Sequence, residues 1–273
     1  MPTSSSSSQP SSRPLACVTG ASAGIGKVFA QRLAQRGYDL LLVARDHARL
    51  QLLADELARA HGGSAHVVVA DLSTDAGIAA LAARLRTEPH LAMLVNNAGF
   101  GTLGTIVTAD PKSQADMLRL HVVATHELTA AALPGMLSRG SGTIITVASV
   151  ASWAPTPGNV NYNATKAYQR MYCEALATEL RDSGVHVQAL CPGFTYTEFH
   201  DRLGSGRGGI PTWAWLSAER VVDTSLAQAS ARGAVVCIPG KRFKLIVFLL
   251  KYGAWALAPL RKSYRRDRKP GEA

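Results

Sequence analysis

Cysteine is scarce in this 273-residue chain, and Cys17, Cys173, Cys191 and Cys237 lie far apart without a CxxC pair. That spacing suggests neither a zinc site nor a redox dithiol and leaves four reduced, buried thiols. Charged residues are few, 18% against 47% hydrophobic. The apolar share is enough to bury a parallel sheet on both faces but falls short of membrane-spanning composition. Internal repeats and interdomain linkers are missing too, so the length fits one large domain. The Ser- and Pro-rich stretch 1–14 has no apolar core. It reads as a disordered lead-in, not a secretory signal, and the expected location is the cytoplasm.

Acidic residues are outnumbered, 19 against 29 Lys and Arg, for a net charge of +10. Residues 241–273 hold ten Lys and Arg and two acids; that +8 leaves only +2 on the other 240 residues. The body, 15–240, is therefore nearly neutral and the basicity belongs to a tail, 241–273. Specific nucleic-acid binding is not expected.

Short β-branched or apolar runs alternate with longer helix-period stretches, the pattern of repeated βαβ units. Strands are expected at 15–19, 39–43, 66–70, 91–96, 143–148, 185–190 and 235–238, and helices at 25–36, 47–61, 74–86, 111–137, 161–182 and 218–231. Right-handed crossovers then give an α/β, doubly wound Rossmann fold: a seven-stranded, mostly parallel sheet with helices on both faces.

Gly20, Ser22, Ala23, Gly24, Ile25 and Gly26 follow the first strand and open the first helix, where glycines let backbone approach a pyrophosphate. Nineteen residues after Gly26, where dinucleotide folds place an acid for the adenine ribose, stands Arg45. A guanidinium there pairs with a 2′-phosphate, so NADP(H) is the expected cofactor, although Asp46 next door works against it. Asp71-Leu72 and Asn97-Ala98-Gly99 end the third and fourth strands at the same edge. Asp71 can accept from an adenine amino group and the small residues admit the cofactor, though either segment alone also suits a turn.

Tyr162 and Lys166 are four residues apart and share a helix face, and Ser149 lies thirteen residues before Tyr162 at a strand end. A phenol is a poor base and a hesitant acid at neutral pH. A neighbouring ammonium is expected to bring its pKa down and make proton transfer feasible.

Together these motifs resemble the short-chain dehydrogenase/reductase family, from about residue 15 to 238: residues 19–26 its TGxxxGIG loop, 96–99 its NNAG element, and Ser149, Tyr162 and Lys166 its catalytic serine, tyrosine and lysine. The resemblance implies that Tyr162 protonates a carbonyl oxygen, Ser149 hydrogen-bonds it, and Lys166 holds the nicotinamide ribose. It also implies that Pro192-Gly193 forms the turn beside the nicotinamide, with Thr195 and Thr197 near the carboxamide or phosphate. His121 stands where the family usually carries a tetrad asparagine that helps hold a relay water. It either bonds water and shuttles protons or is a packed helix residue, with a backbone carbonyl serving the relay. The implied activity is NADP(H)-dependent interconversion of a ketone or aldehyde with an alcohol, in a homodimer or homotetramer. The rival reading is a non-enzymatic NADP-binding regulatory or scaffold protein.

Segment 198–216, with Gly204, Gly206, Gly208 and Gly209 among Phe199, Trp213 and Trp215, falls where the family places its substrate lid, and suits an apolar substrate. Residues 243–260 are apolar except for Lys244 and Lys251, and 261–269 carry six basic residues against Asp267. A helix on an anionic membrane surface, a helix packed on the lid or a partner subunit, and a polyanion-binding tail all fit, the first being preferred. That preference puts the protein at the inner face of a membrane.

Overall fold

A computed structural model describes residues 13–199 and 211–252. Its seven-stranded sheet is formed by β1 (Leu15–Thr19), β2 (Asp39–Ala44), β3 (Ala65–Val69), β4 (Leu91–Asn96), β5 (Gly142–Val147), β6 (Val185–Leu190) and β9 (Val236–Cys237). The order is β3-β2-β1-β4-β5-β6-β9 and every pairing is parallel. This is the doubly wound Rossmann arrangement. Two dipeptides, β7 (Thr195–Tyr196) and β8 (Leu216–Ser217), form a small separate ribbon.

The central strands β1, β2 and β4 read as nearly unbroken apolar runs because both faces are covered. In β1, Ala16 and Val18 join a core with Phe29, Leu33, Leu50 and Val221, whereas Leu15 and Cys17 join an opposite core with Leu81, Leu128 and Leu176. The first core is supplied by α1 (Gly24–Gln35), α2 (His47–His61) and α7 (Ala218–Ser230), the second by α3 (Asp75–Arg86), α5 (Ala124–Ser138) and α6 (Val160–Glu179). Each fully buried leucine contributes about 1.5–3 kcal/mol of burial. The four cysteines are buried free thiols.

Two departures from the expected elements bear on function. The single helix expected at 111–137 is broken: α4 (Pro111–Leu118) passes into a π-turn at Arg119–Val123 before α5 begins. A π-turn inserts a residue into the ladder and is often found at functional sites. The tail boundary at 240 also runs through a packing contact. Helix α8 (Lys241–Tyr252) buries Phe243 and Val247, and Phe243 belongs to the first core.

Winding reverses beside β1. The chain runs outward through β2 and β3, then returns to β4 on the other flank, so the loops after β1 and β4 diverge at the carboxyl edge and open a crevice.

Candidate active site

One end of the crevice is the glycine turn. Gly20 has φ of 67°, the left-handed region, and a Cβ there would stand 2.8 Å from Asn97 Nδ2 and 2.9 Å from Ala98 Cα. Ser22, Ala23 and Gly24 are half-buried along the turn, and Ile25 packs partly on the core. Helices α2, α3, α4 and α7 are capped by the side chains of Asp46, Thr74, Asp110 and Ser217, but α1 has no side-chain cap and no acid in its first turn. Its backbone N–H groups suit an anion, so the turn fits a dinucleotide pyrophosphate.

Asn97 clamps this turn. Its amide donates to the carbonyls of Thr19 (2.8 Å) and Gly20 (3.3 Å), while the Thr19 hydroxyl accepts from the N–H groups of Asn97 (2.9 Å) and Ala98 (3.0 Å). Thr197 reaches it from across the crevice: a Cβ on Gly24 would lie 3.2 Å from its side chain. Thr195 is buried and donates to the Gly193 carbonyl at 2.9 Å.

Arg45, just past β2, is exposed. Its acidic neighbour does not oppose it at close range, since Asp46 accepts from Arg49 N at 3.0 Å as the α2 cap and pairs with the Arg49 guanidinium at 3.4 Å. Asp71 is held by the backbone N–H (2.9 Å) and hydroxyl (2.6 Å) of Ser73, bonds that keep its carboxyl below the usual range; Leu72 is buried.

At the other end, Ser149 caps the short 3-10 turn Val150–Trp153, its Oγ accepting from Ala151 N at 3.1 Å. It also hydrogen-bonds Tyr162. Tyr162 is half-buried as a residue, yet its titrating end is enclosed, and burial pushes the phenol up to about 12 against the Ser149 bond, which lowers it. The expected lowering by Lys166 is not found: its Nζ sits 5.8 Å from the phenol ring centroid, and burial wins. Tyr162 therefore stays protonated at neutral pH, as a proton donor must.

Lys166 is buried, and its Nζ donates to the Val147 carbonyl (2.8 Å) and to Gln169 Oε1 (2.9 Å). Burial pulls its pKa down to about 7. His121 occupies the π-turn, fully buried, its Nδ1 2.9 Å from the Thr165 hydroxyl and its Nε2 accepting from Phe100 N at 3.3 Å. Burial, then the Lys166 charge, holds it well below 6.5, so it is neutral. Both ring nitrogens have protein partners, which favours the packed alternative over a shuttling imidazole.

Pro192-Gly193 closes the far wall, the Pro192 carbonyl accepting from Val150 N at 3.0 Å. A Cβ on Gly193 would collide with the Phe243 ring at 2.1 Å, so the α8 aromatic backs the turn. Beside Tyr162 a shallow, open hollow is bounded by the loops after β4 and β5. Its polar spine runs from Asn161 Nδ2 to Gln114 Oε1 (2.8 Å) and from Gln114 Nε2 to Thr102 Oγ1 (2.5 Å), next to exposed Ile106 and Val160. Of the lid aromatics, Trp215 is buried and Trp213 exposed; the four lid glycines lie outside the described residues. Gln169 and Phe243 went unread as site residues. Gln169, three residues past Lys166 and seven past Tyr162, was legible by helical spacing.

The short chain dehydrogenase family profile matches residues 14–208. The chain belongs to the short-chain dehydrogenase/reductase family. Among members of this family, an uncharacterized oxidoreductase YmfI of Bacillus subtilis is 36% identical over 191 residues, 69% of this chain and 77% of that protein. The human inactive hydroxysteroid dehydrogenase-like protein 1 is 32% identical over 184 residues, 67% of this chain but 56% of its own length, so the chain matches little more than half of that relative. A short-chain dehydrogenase from Sphingobium yanoikuyae, solved in complex with NADPH, superposes with a TM-score of 0.79 at 34% identity, covering 95% of this chain and 98% of that one.

Proposed function

We propose that this short-chain dehydrogenase/reductase uses NADP(H) to interconvert a hydrophobic ketone or aldehyde with its alcohol, reduction being the working direction. The observation that carries it is Tyr162, protonated and bonded to Ser149, above the buried Lys166. Tyr162 donates its proton to the substrate oxygen. Because Ser149 Oγ already accepts from Ala151 N, its own hydrogen is directed outward, toward the phenol or the oxygen it protonates. Lys166, fixed by Val147, holds the nicotinamide ribose. The bound cofactor supplies the hydride. The glycine turn and the α1 N-terminus hold the pyrophosphate, Arg45 the 2′-phosphate, Thr195 and Thr197 the nicotinamide end. An NADPH complex of a 34% identical relative supports the choice of cofactor.

The apolar side chains of Ile106 and Val160, which line the hollow, support a hydrophobic substrate. Exposed Leu118 and Val123 of the α4–π-turn segment, with Met171 of α6, support a homodimer or homotetramer. Exposed Leu245, Phe248 and Leu249 on α8, in a tail of net charge +8, support peripheral contact with an anionic membrane; no helix among the described residues is long and apolar enough to cross one.

A panel of ketones and aldehydes with NADPH, followed by nicotinamide absorbance, tests this reading. Consumption with a bulky apolar carbonyl is the expected result. NADPH binding without turnover of any carbonyl would favour the non-enzymatic reading, toward which the inactive human relative points.

A further inference from the structure

Behind the Tyr162 and Lys166 pair lies a chain of contacts that neither motif predicts. The Gln169 amide nitrogen donates to the His121 carbonyl at 3.0 Å and to Thr125 Oγ1 at 3.1 Å, while its oxygen accepts from Lys166 Nζ at 2.9 Å. Lys166, Gln169, Thr125 and His121 are all buried, at 5%, 1%, 3% and 0% exposure. The amide cannot be turned over. A carbonyl oxygen at His121 only accepts, so the nitrogen must face it and the oxygen must face the lysine. That carbonyl lies in the π-turn, whose geometry sets where Gln169 finds it.

We propose that Gln169 is a positioning residue for Lys166, a neutral strut between the π-turn and the amine that sets the direction of the remaining Nζ hydrogen. The proposal rests on the reading of Lys166 as the group that holds the nicotinamide ribose. Val147 O and Gln169 Oε1 are both non-ionisable acceptors, so two N–H directions are fixed without a counter-charge. A side-chain amide does not carry a proton onward near neutral pH, so this strut closes the route from Lys166 to the His121 carbonyl. Proton exchange at Lys166 then runs by the crevice side. The titratable groups that bear on the amine are Tyr162 on its own helix, His121 from the π-turn and Cys191 after β6.

The test uses the full chain with Gln169→Leu, which removes the acceptor, and Gln169→Glu, which keeps it and adds a charge. The titration of Lys166 Nζ is followed by nitrogen-15 NMR without substrate, assigned by its loss in Lys166→Arg. Gln169→Glu is expected to raise the midpoint by about one pH unit or more, and Gln169→Leu to lower it. In turnover, Gln169→Leu should lose about ten- to a hundredfold in kcat. Gln169→Glu keeps the acceptor toward Lys166 but has no donor for the His121 carbonyl, so it should recover only part of that loss, with its pH optimum displaced upward, which a purely structural role would not produce. An unmoved Lys166 midpoint in both folded variants, or a Gln169→Leu enzyme with wild-type kcat and pH profile, overturns the strut. If Gln169→Leu does not fold, the Glu variant decides through the same two readings. Should the wild type turn over no carbonyl, the NMR titration still reads the strut, so the two ideas fail separately.

Discussion

The backbone N–H of Phe100 points at His121 Nε2 from 3.3 Å, and this one bond fixes the imidazole's tautomer. With Nε2 accepting, the proton sits on Nδ1 and goes to the Thr165 hydroxyl, which in turn donates to the Tyr162 carbonyl at 2.9 Å. The ring thus braces the first turn of α6, where Tyr162 sits.

His121 should make the fold acid-sensitive. Its folded pKa lies well below 6.5 and its unfolded one near 6.5, so below that pH the unfolded chain takes up the proton first and stability falls. The loss is up to about 1.4 kcal/mol per pH unit in that window. Urea unfolding at pH 7 and pH 5 should show a smaller drop for His121→Asn than for wild type. Equal drops would show that His121 is not held neutral.

Tyr162→Phe should cut kcat by about a hundredfold to ten-thousandfold and leave NADPH affinity within a few-fold of wild type. Lys166→Ala should weaken both. Turnover assays paired with NADPH titrations separate the two patterns.

Arg45→Asp should reduce the preference for NADPH over NADH by about tenfold or more, the effect of losing a charge-assisted contact of roughly 1.5–3 kcal/mol. Asp46 is committed to Arg49, so it does not already provide the carboxylate. Side-by-side cofactor titrations decide the matter, and a wild type that prefers NADH removes the role given to Arg45.

Phe243→Ala should destabilise the protein by about 3–5 kcal/mol and loosen NADPH binding, because the ring backs Gly193. A chain ending after Gly240 should share both defects, whereas one ending after Tyr252 should fold normally and lose only part of its salt-sensitive sedimentation with anionic vesicles. Equal sedimentation of the full chain and the chain ending after Tyr252 would confine any membrane role to α8.

Much of the frame was legible because burial on both faces writes itself into sequence: Ala16 and Val18 against Leu15 and Cys17 is one apolar run split between two cores. The glycine turn and the Tyr162 and Lys166 spacing were equally plain. The π-turn was not, since one inserted residue changes neither helix propensity nor apolar content along 111–137. Spacing also said that Lys166 is near Tyr162, but not that burial would outweigh it. The β7 and β8 ribbon, two residues a side, is too short to leave a period.

The extra residue at Arg119–Val123 has a consequence for insertions and deletions. One residue of α-helix is about 100° of rotation, so removing one there would restore a continuous helix and swing everything upstream by more than a quarter turn. Gln114 would leave Thr102 and Asn161, and the hollow beside Tyr162 would lose its polar spine while the core behind α5 kept its register. A gap elsewhere on a surface helix is absorbed by a loop. A gap here would re-index one wall of the cleft against the other.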